Sequence, residues 1–148
     1  MQAILVFLDG TICDMRHRIP LRRLGAKKFF SDKKIMKDTP TAGSVKMMKE
    51  LAEKYRLIYI GARPGEYAAI TRQWLNRAGF PDGEVYLGKN QQERMQITQQ
   101  LKDRFDFAAG IGDRWDDNEL HLELGCQSFI LKEWEPNWDA VRKYFREK

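Results

Sequence analysis

Short apolar runs alternate along the chain with longer segments in which apolar residues recur every three to four positions. The first run, residues 3–7, is uniformly apolar, as is typical of a strand buried on both faces of a parallel sheet. Comparable runs predict further strands at residues 56–60, 84–87, 105–111 and 126–131. Helical spacing predicts helices at 44–55, 66–78, 91–101, 119–124 and 138–145. Strict strand–helix alternation predicts an α/β fold, a doubly wound parallel sheet of about five strands.

Residues 14–41 lack this alternation. The segment contains Pro20, Gly25 and Pro40, with Phe29 and Phe30 as an isolated aromatic pair. We interpret it as a flap, a loop with one or two short helices that covers the carboxyl ends of the strands. It is too short to be a separate domain, so we predict a single domain over residues 1–148 with this minimal cap.

Charge is concentrated in the same region. Residues 1–50 contain eleven Lys or Arg against five Asp or Glu, whereas the whole chain has a net charge of +5. A basic flap beside a phosphate site would attract a phosphorylated small molecule or a nucleic-acid end. A solvated insert that keeps the protein soluble explains the same pattern equally well.

The composition indicates a globular protein of the cytoplasm. Hydrophobic residues make up 43% of the chain, but no apolar run approaches the roughly 20 residues of a membrane span, so no membrane partner is expected. The chain enters its first strand at once, leaving no room for a signal peptide. Cys13 and Cys126 have no metal-type spacing and are too few for a disulfide scaffold.

Polar residues follow three of the predicted strands. Asp9 and Thr11 follow the first, Arg63 the second, and an acidic group with Asp113 and Asp117 the fourth. Ligands of open α/β sheets bind outside the carboxyl ends of the strands, and clustered carboxylates suit Mg²⁺. The acidic group is also explained as a helix cap that accepts hydrogen bonds from first-turn amides. One Asp can cap while another binds a metal.

Residues 7–11, Phe-Leu-Asp-Gly-Thr, resemble the first motif of the haloacid dehalogenase (HAD) superfamily, Asp-x-Asp-Gly-Thr. Two further signals follow in the same order, Ile-Gly-Ala-Arg-Pro-Gly-Glu-Tyr at 60–67 and Ile-Gly-Asp-Arg-x-x-Asp at 111–117. Together they resemble the phosphatase domain of polynucleotide kinase/phosphatases. The resemblance implies a HAD/Rossmann-like core and activity on terminal phosphates of nucleotides or nucleic acids.

Roles can be transferred by position. The resemblance implies that Asp9 is the catalytic acid/base. It implies phosphate contacts from Thr11, Arg63 and Arg94, the last in place of the family's lysine. The implied Mg²⁺ ligands are Asp9, through its backbone carbonyl oxygen, and Asp113, with Asp117 in support.

Two positions depart from the family. The nucleophile position holds Phe7, which can neither attack phosphorus nor bind a metal, and the second-motif Ser or Thr is Gly61. Loss of a nucleophile costs several orders of magnitude in rate and weakens the implied Mg²⁺ site. We therefore expect a degenerate, pseudoenzyme-like site that binds a phosphorylated ligand or partner with little or no phosphatase activity. The alternative is a divergent Mg²⁺-dependent phosphohydrolase acting on nucleotide or nucleic-acid terminal phosphates.

Several other side chains have two interpretations. Arg16 and Arg18 of the flap are candidates to hold a phosphorylated ligand, and His17 either donates to a phosphate or is simply solvated. Trp115, Trp134 and Trp138 either mark a surface for a protein partner or pack the terminal segment onto the sheet. The residues with two interpretations are Arg16, His17, Arg18, Trp115, Trp134 and Trp138.

Overall fold

The computed structural model describes every residue from Met1 to Lys148. The strands are β1 (Ala3–Phe7), β2 (Cys13–Asp14), β3 (Thr39–Pro40), β4 (Arg56–Gly61), β5 (Glu84–Leu87), β6 (Phe107–Gly112) and β7 (Gln127–Ile130). The α-helices are α1 (Ala26–Phe29), α2 (Asp32–Ile35), α3 (Ser44–Ala52), α4 (Ala68–Ala78), α5 (Gln91–Arg104), α6 (Trp115–Leu124) and α7 (Asp139–Arg146). Two 3₁₀ helices span Arg16–Leu24 and Gly65–Tyr67.

The main sheet confirms the predicted architecture. Its five strands run in the order β5-β4-β1-β6-β7, and every pairing is parallel. The most apolar run of the chain therefore forms the central strand, because only a central strand covered on both faces has no side chain in water. The carboxyl ends of β1, β4 and β6 lie side by side, which brings the predicted site residues to one edge.

Helices cover both faces of this sheet. Ile4, Val6 and Leu8 point to one face, where they join a large core cluster with side chains of α3, α4 and α7. Ala3, Leu5 and Phe7 point to the other face and pack with residues of α5 and α6, including Leu101 and Leu120. The period-two alternation of a strand explains why consecutive residues of β1 belong to different clusters.

Most predicted elements are present, but some boundaries were wrong. The largest error concerns α6, which begins at Trp115 rather than at residue 119, so the acidic segment is the first turn of a helix and not a loop. The helix starts early because the Asp117 carboxylate accepts hydrogen bonds from the amides of Asp113 and Arg114. Helix α5 continues to Arg104 instead of ending at residue 101, which delays the start of β6 to Phe107.

The flap is more ordered than the sequence suggested. Strands β2 and β3 pair antiparallel and close its base, and three short helical segments lie between them, where one or two were expected. None of the helices in the chain has the length and apolar character needed to cross a membrane.

Candidate functional site

The turn that follows β1 forms the floor of the candidate site. The amides of Thr11, Ile12 and Cys13 all point to the carbonyl oxygen of Leu8, which folds the chain back tightly. Gly10 has a φ of 90°, and a Cβ built there would lie 2.5 Å from Oδ2 of Asp113. Both the backbone conformation and the close approach of this carboxylate require glycine.

Phe7 and Asp9 stand on either side of Leu8, and both line the same cleft. The Phe7 ring is 5% exposed and belongs to the core cluster on the α5/α6 face. The end of β1, where the motif would place a nucleophilic carboxylate, is thus occupied by an aromatic ring that is anchored in the core.

Asp9 is held in a buried ion pair with Arg63. Oδ1 of Asp9 accepts hydrogen bonds from Nη2 and Nε of Arg63 at 2.8 and 3.1 Å, and the arginine is fully buried. Burial disfavours the charged carboxylate, but the charge and hydrogen bonds of Arg63, aided by Arg18, outweigh it and lower the pKa of Asp9. Asp9 is therefore ionised at neutral pH.

Arg63 has further partners inside the protein. Its Nη1 donates to Oγ1 of Thr71 at 2.9 Å, and its Nη2 lies 3.5 Å from Sγ of Cys13. The hydrogen-bond partners of this guanidinium are therefore Asp9, Thr71 and Cys13. Its proposed contact with a phosphate remains a prediction.

Asp38, which the sequence did not single out, joins the flap to this ion pair. Its side chain is fully buried and binds Arg18 through two hydrogen bonds of 2.8 and 2.9 Å. His17 Nε2 lies 2.6 Å from Oδ1 of Asp38, and Nη2 of Arg63 lies 3.7 Å from Oδ2. The guanidinium of Arg18 is buried and bound to Asp38, and its predicted contact with a phosphorylated ligand stays a prediction. His17 is paired with the same carboxylate rather than simply solvated.

A sequence signal for Asp38 did exist. It is the only acidic residue between Lys33 and Lys49, within a strongly basic stretch. A lone acid in such a stretch is a candidate partner for a buried cation, but the chain gives no indication of which cation.

Asp113, at the end of β6, has one bonded and one unbonded oxygen. Oδ1 accepts from the Thr11 hydroxyl at 2.7 Å, whereas Oδ2 is buried without a hydrogen-bond partner. Burial raises the pKa of Asp113 to about 7, with a contribution from the charges of Asp117 and Glu133. Thr11 is fully buried, and its hydroxyl donates to the carboxylate of Asp113. The observed partner of this hydroxyl is therefore a protein side chain and not a ligand in the cleft.

The predicted magnesium ligands fit a metal only in part. Asp113 offers an orphaned carboxylate oxygen, which suits a hard cation. Asp9 would contribute its backbone carbonyl oxygen, because its carboxylate is bound by Arg63, and Oδ2 of Asp117 accepts from two backbone amides. No group of three or more His, Cys, Asp or Glu side chains is arranged to hold a metal ion. The set Asp9, Asp113 and Asp117 does not form a metal cluster in this arrangement.

Arg94 lies in the wall of the cleft, and its predicted contact with a phosphate stays a prediction. Only 8% of the residue is exposed, its Nη1 donates to the carbonyl of Gly88 at 2.8 Å, and its Nε has no partner. Burial lowers its pKa, while the charges of Asp117, Asp116 and Asp9 act in the opposite direction. This arginine has unused hydrogen-bonding capacity that a ligand could satisfy.

Gly61, at the end of β4, is closely packed by leucine side chains. A Cβ at this position would lie 2.8 Å from Cδ1 of Leu8 and 3.2 Å from Cδ2 of Leu87. At the position where the second motif has a hydroxyl, this chain therefore has a glycine with two leucine side chains packed against it.

The cleft above these residues has a volume of about 250 Å³. The flap contributes part of its rim, and the carboxyl ends of β1, β4 and β6 form its base. Its lining residues are Phe7, Asp9, Met15, Arg22, Phe29, Phe30, Ala62, Arg94, Arg114, Asp116, Asp117 and Trp134. A larger hollow of about 480 Å³ lies beside the start of β5, away from these carboxylates. The smaller cleft is the better candidate site because charged groups converge on it.

The three tryptophans have different environments. Trp138 is buried and donates to the carbonyl of Ala42 at 3.1 Å, so it packs the terminal segment. Trp134 is partly buried and lines the cleft. Trp115 is 77% exposed. Of the three tryptophans, it is the one that stays a candidate contact for a protein partner.

Comparisons with known proteins identify the fold. No family model and no curated protein matches the sequence. Among solved structures, a class C acid phosphatase from Bacillus anthracis matches with a TM-score of 0.69 and 18% identity, over 88% of this chain and 66% of that one. The Pnkp1/Rnl/Hen1 RNA repair complex matches with a TM-score of 0.68 and 16% identity, over 88% of this chain and 42% of that one.

A third match covers both chains almost completely. It is a HAD family enzyme from Bacteroides thetaiotaomicron, in complex with magnesium and inorganic phosphate, with a TM-score of 0.61, 14% identity and coverage of 95% and 98%. This chain spans less than two thirds of the first two structures, so it corresponds to part of each. Identities at this level establish a shared fold. The protein therefore shares its fold with these HAD-family structures, as the three motifs predicted.

Proposed function

We propose that this protein binds a phosphorylated ligand in the cleft beneath the flap and has little or no phosphatase activity. The observation that carries the proposal is the Phe7 ring at the end of β1, 5% exposed and packed into the core. Transfer of a phosphoryl group to the protein needs a carboxylate at that place. Without it, the fold keeps a pocket but lacks the attacking atom.

The state of Asp9 supports the same proposal. A general acid must carry a proton near the working pH, whereas Arg63 lowers the pKa of Asp9 and holds its carboxylate in a buried pair. Asp9 is thus a poor proton donor for a leaving group. Two separate requirements of phosphatase chemistry are affected, one at the first position of the motif and one at the third.

Binding of a phosphorylated ligand is supported by the arginines. Arg94 is buried with an unpartnered Nε in the wall of the cleft, and Arg22 and Arg114 line the same space. Several guanidinium groups around one small cleft suit phosphate oxygens, which arginine binds with paired hydrogen bonds.

The test combines hydrolysis and binding. We expect no turnover of a panel of phosphomonoesters with Mg²⁺, and measurable binding of inorganic phosphate by isothermal titration calorimetry. Arg94→Gln should weaken phosphate binding, whereas Arg77→Gln, on the exposed surface of α4, should not. Turnover by the unaltered protein that is abolished by Asp9→Asn would overturn the proposal, and so would the absence of phosphate binding.

Two substitutions at Phe7 test whether the absence of the nucleophile alone explains the absence of phosphatase activity. Phe7→Asp restores the carboxylate, and Phe7→Leu removes the ring without adding one. If Phe7→Asp alone gains turnover, the remaining site is competent and lacks only its nucleophile. If both variants are silent, the site is lost at more than one position and the binding proposal stands.

The alternative is a divergent Mg²⁺-dependent phosphohydrolase for nucleotide or nucleic-acid terminal phosphates. The observation that favours it is the orphaned Oδ2 of Asp113, a buried carboxylate oxygen that a cation would satisfy. Asp113 is the residue that would hold such a cation. The metal would supply charge to offset a phosphate. Mg²⁺-dependent turnover that is lost in Asp113→Asn would establish this alternative.

The cellular setting is part of the proposal. Both cysteines are free, as expected for a cytoplasmic protein. The basic flap and the exposed Trp115 are the surfaces at which a nucleic-acid end or a protein partner would be received.

A further inference from the structure

Helix α6 has an apolar face that the rest of the chain leaves open. Trp115 and Leu122 are 77% and 70% exposed, and their spacing of seven residues places them on the same side of the helix. The opposite side packs on the sheet through Leu120, which is fully buried. A surface helix normally presents polar residues to water. Apolar residues on both sides of α6 therefore indicate that a partner covers the outer one.

The charges of this outer face are acidic and unpaired. Helical spacing places Glu119 on the same side as the two apolar residues, with Asp116 and Glu123 along one flank. The helix contains no Lys or Arg. The ion pairs of the structure involve none of these three carboxylates. Their charge is thus available to a cationic partner.

The flap presents a surface of the opposite charge. Residues 22–28 are all exposed and contain four cations, and no acidic residue occurs between Asp14 and Asp32. Leu24, 52% exposed, lies among these cations. None of the four forms an ion pair within the chain. The four cations are Arg22, Arg23, Lys27 and Lys28.

We propose that α6 of one copy of this protein docks on the flap of a second copy. Trp115 and Leu122 would meet Leu24 and the aliphatic stems of the flap cations, which long basic side chains can lay over an apolar surface. The carboxylates of α6 would pair with the charged ends of the same side chains. A second copy is the partner that the structure favours, because both complementary surfaces are present on one chain.

The positions of the two surfaces favour a closed dimer over a filament. Arg22 and Asp116 both line the cleft, so the flap surface and the start of α6 lie on the same side of the molecule. Contacts between opposite sides of a molecule extend into open chains, whereas a two-fold axis forms each contact twice and closes the assembly. Two copies related in this way would satisfy both surfaces of each copy.

Sedimentation velocity of the full chain at rising concentration measures this association. We expect the weight-average mass to increase from 17.4 kDa toward twice that value. Raising the salt from about 0.1 M to about 1 M shortens the Debye length from roughly 10 to 3 Å and should weaken the association at least about tenfold. A protein that stays monomeric throughout the micromolar range at 0.1 M salt refutes the proposal.

Each surface is tested by its own substitution. Trp115→Lys places a cation in the apolar face of α6, and Leu24→Asp places an acid in the flap surface. Each should weaken the association at least about tenfold, as expected for a residue at the centre of an interface. Arg77→Glu, a charge reversal at an exposed position of α4, is the control and should leave the association unchanged. Because all three positions are exposed, the circular dichroism spectra should match that of the unaltered protein.

A mixture of the two variants tests the pairing itself. Trp115→Lys keeps an intact flap and Leu24→Asp keeps an intact α6, so each variant supplies the surface that the other lacks. Each alone should stay monomeric, whereas the mixture should form a heterodimer. If Trp115→Lys prevents association and Leu24→Asp does not, α6 pairs with α6 and docking on the flap is refuted. The proposal also fails if the mixture stays monomeric.

Discussion

The buried pair of Asp9 and Arg63 provides the sharpest test of how this site is built. Replacing Arg63 with Met keeps a long side chain but leaves the Asp9 carboxylate, 7% exposed, without its hydrogen-bond donor. Removal of one partner from a buried ion pair typically costs about 3–5 kcal/mol. For a chain of this length, that corresponds to a fall in Tm of roughly 6–20 °C.

The effect of Asp9→Asn should be smaller. Arg63 would retain Asp38, whose Oδ2 lies 3.7 Å from its Nη2, so the guanidinium keeps a counter-charge. We expect a loss of about 1–2 kcal/mol in the free energy of unfolding. In the double variant the two losses should not add, because the second substitution removes a charge that the first had already left unpaired.

The dependence on pH has a defined sign. Arg63 lowers the pKa of Asp9 below its ordinary value of 3.8, so the pair stabilises the native protein above pH 3.8 and loses its effect as the pH falls through the native pKa. Without Arg63, burial instead favours the protonated carboxyl group. The deficit of Arg63→Met should therefore shrink as the pH is lowered toward 3.8.

Urea denaturation followed by circular dichroism measures these quantities, with Arg77→Met on the exposed face of α4 as the control. The control should change the free energy of unfolding by less than about 0.5 kcal/mol. The reasoning is refuted if Arg63→Met costs less than about 1 kcal/mol, or if the effects of the two substitutions are simply additive.

Three further substitutions test the surrounding structure. Gly61→Ser should lower the free energy of unfolding by about 1–3 kcal/mol in urea denaturation, because its Cβ would lie 2.8 Å from Leu8. Gly65→Ser, where a Cβ meets nothing within 4 Å, should leave the free energy of unfolding unchanged. Equal losses in the two variants would contradict the packing argument. Asp113→Asn should stabilise the metal-free protein above about pH 7. Burial raises the pKa of Asp113 to about 7, so the protonated carboxyl group stabilises the native state at low pH, and this stabilisation is lost as the pH rises through that value. Under the Mg²⁺-dependent alternative, Mg²⁺ should raise the Tm of the unaltered protein only, and an equal rise in both proteins would exclude Asp113 as its ligand. Burial lowers the pKa of His121 to about 4 from 6.5, so stability should fall by up to about 3 kcal/mol between pH 6.5 and pH 4. His121→Gln should reduce that fall, and an unchanged fall in the variant would contradict this role of His121.

The sequence by itself determined the fold and the location of the site. The uniformly apolar run at β1 could only be a central strand, and the alternation of strands and helices required a parallel sheet with helices on both faces. Since the carboxyl ends of parallel strands share one edge, Asp9, Arg63 and Asp113 had to lie near one another. These conclusions depend on local periodicity and on general rules of topology, both of which are readable along a chain.

Only the tertiary structure decided what these side chains do. The sequence could not show that Arg63 binds Asp9, that Thr11 donates to Asp113, or that Asp38 joins the flap to the ion pair. Each contact joins residues that are distant along the chain. The spacing of charged residues in the sequence does not show which of them form pairs. Burial then set the pKa of each carboxyl group, lowering that of Asp9 and raising that of Asp113, because desolvation and neighbouring charges depend on the packed surroundings rather than on the residue type.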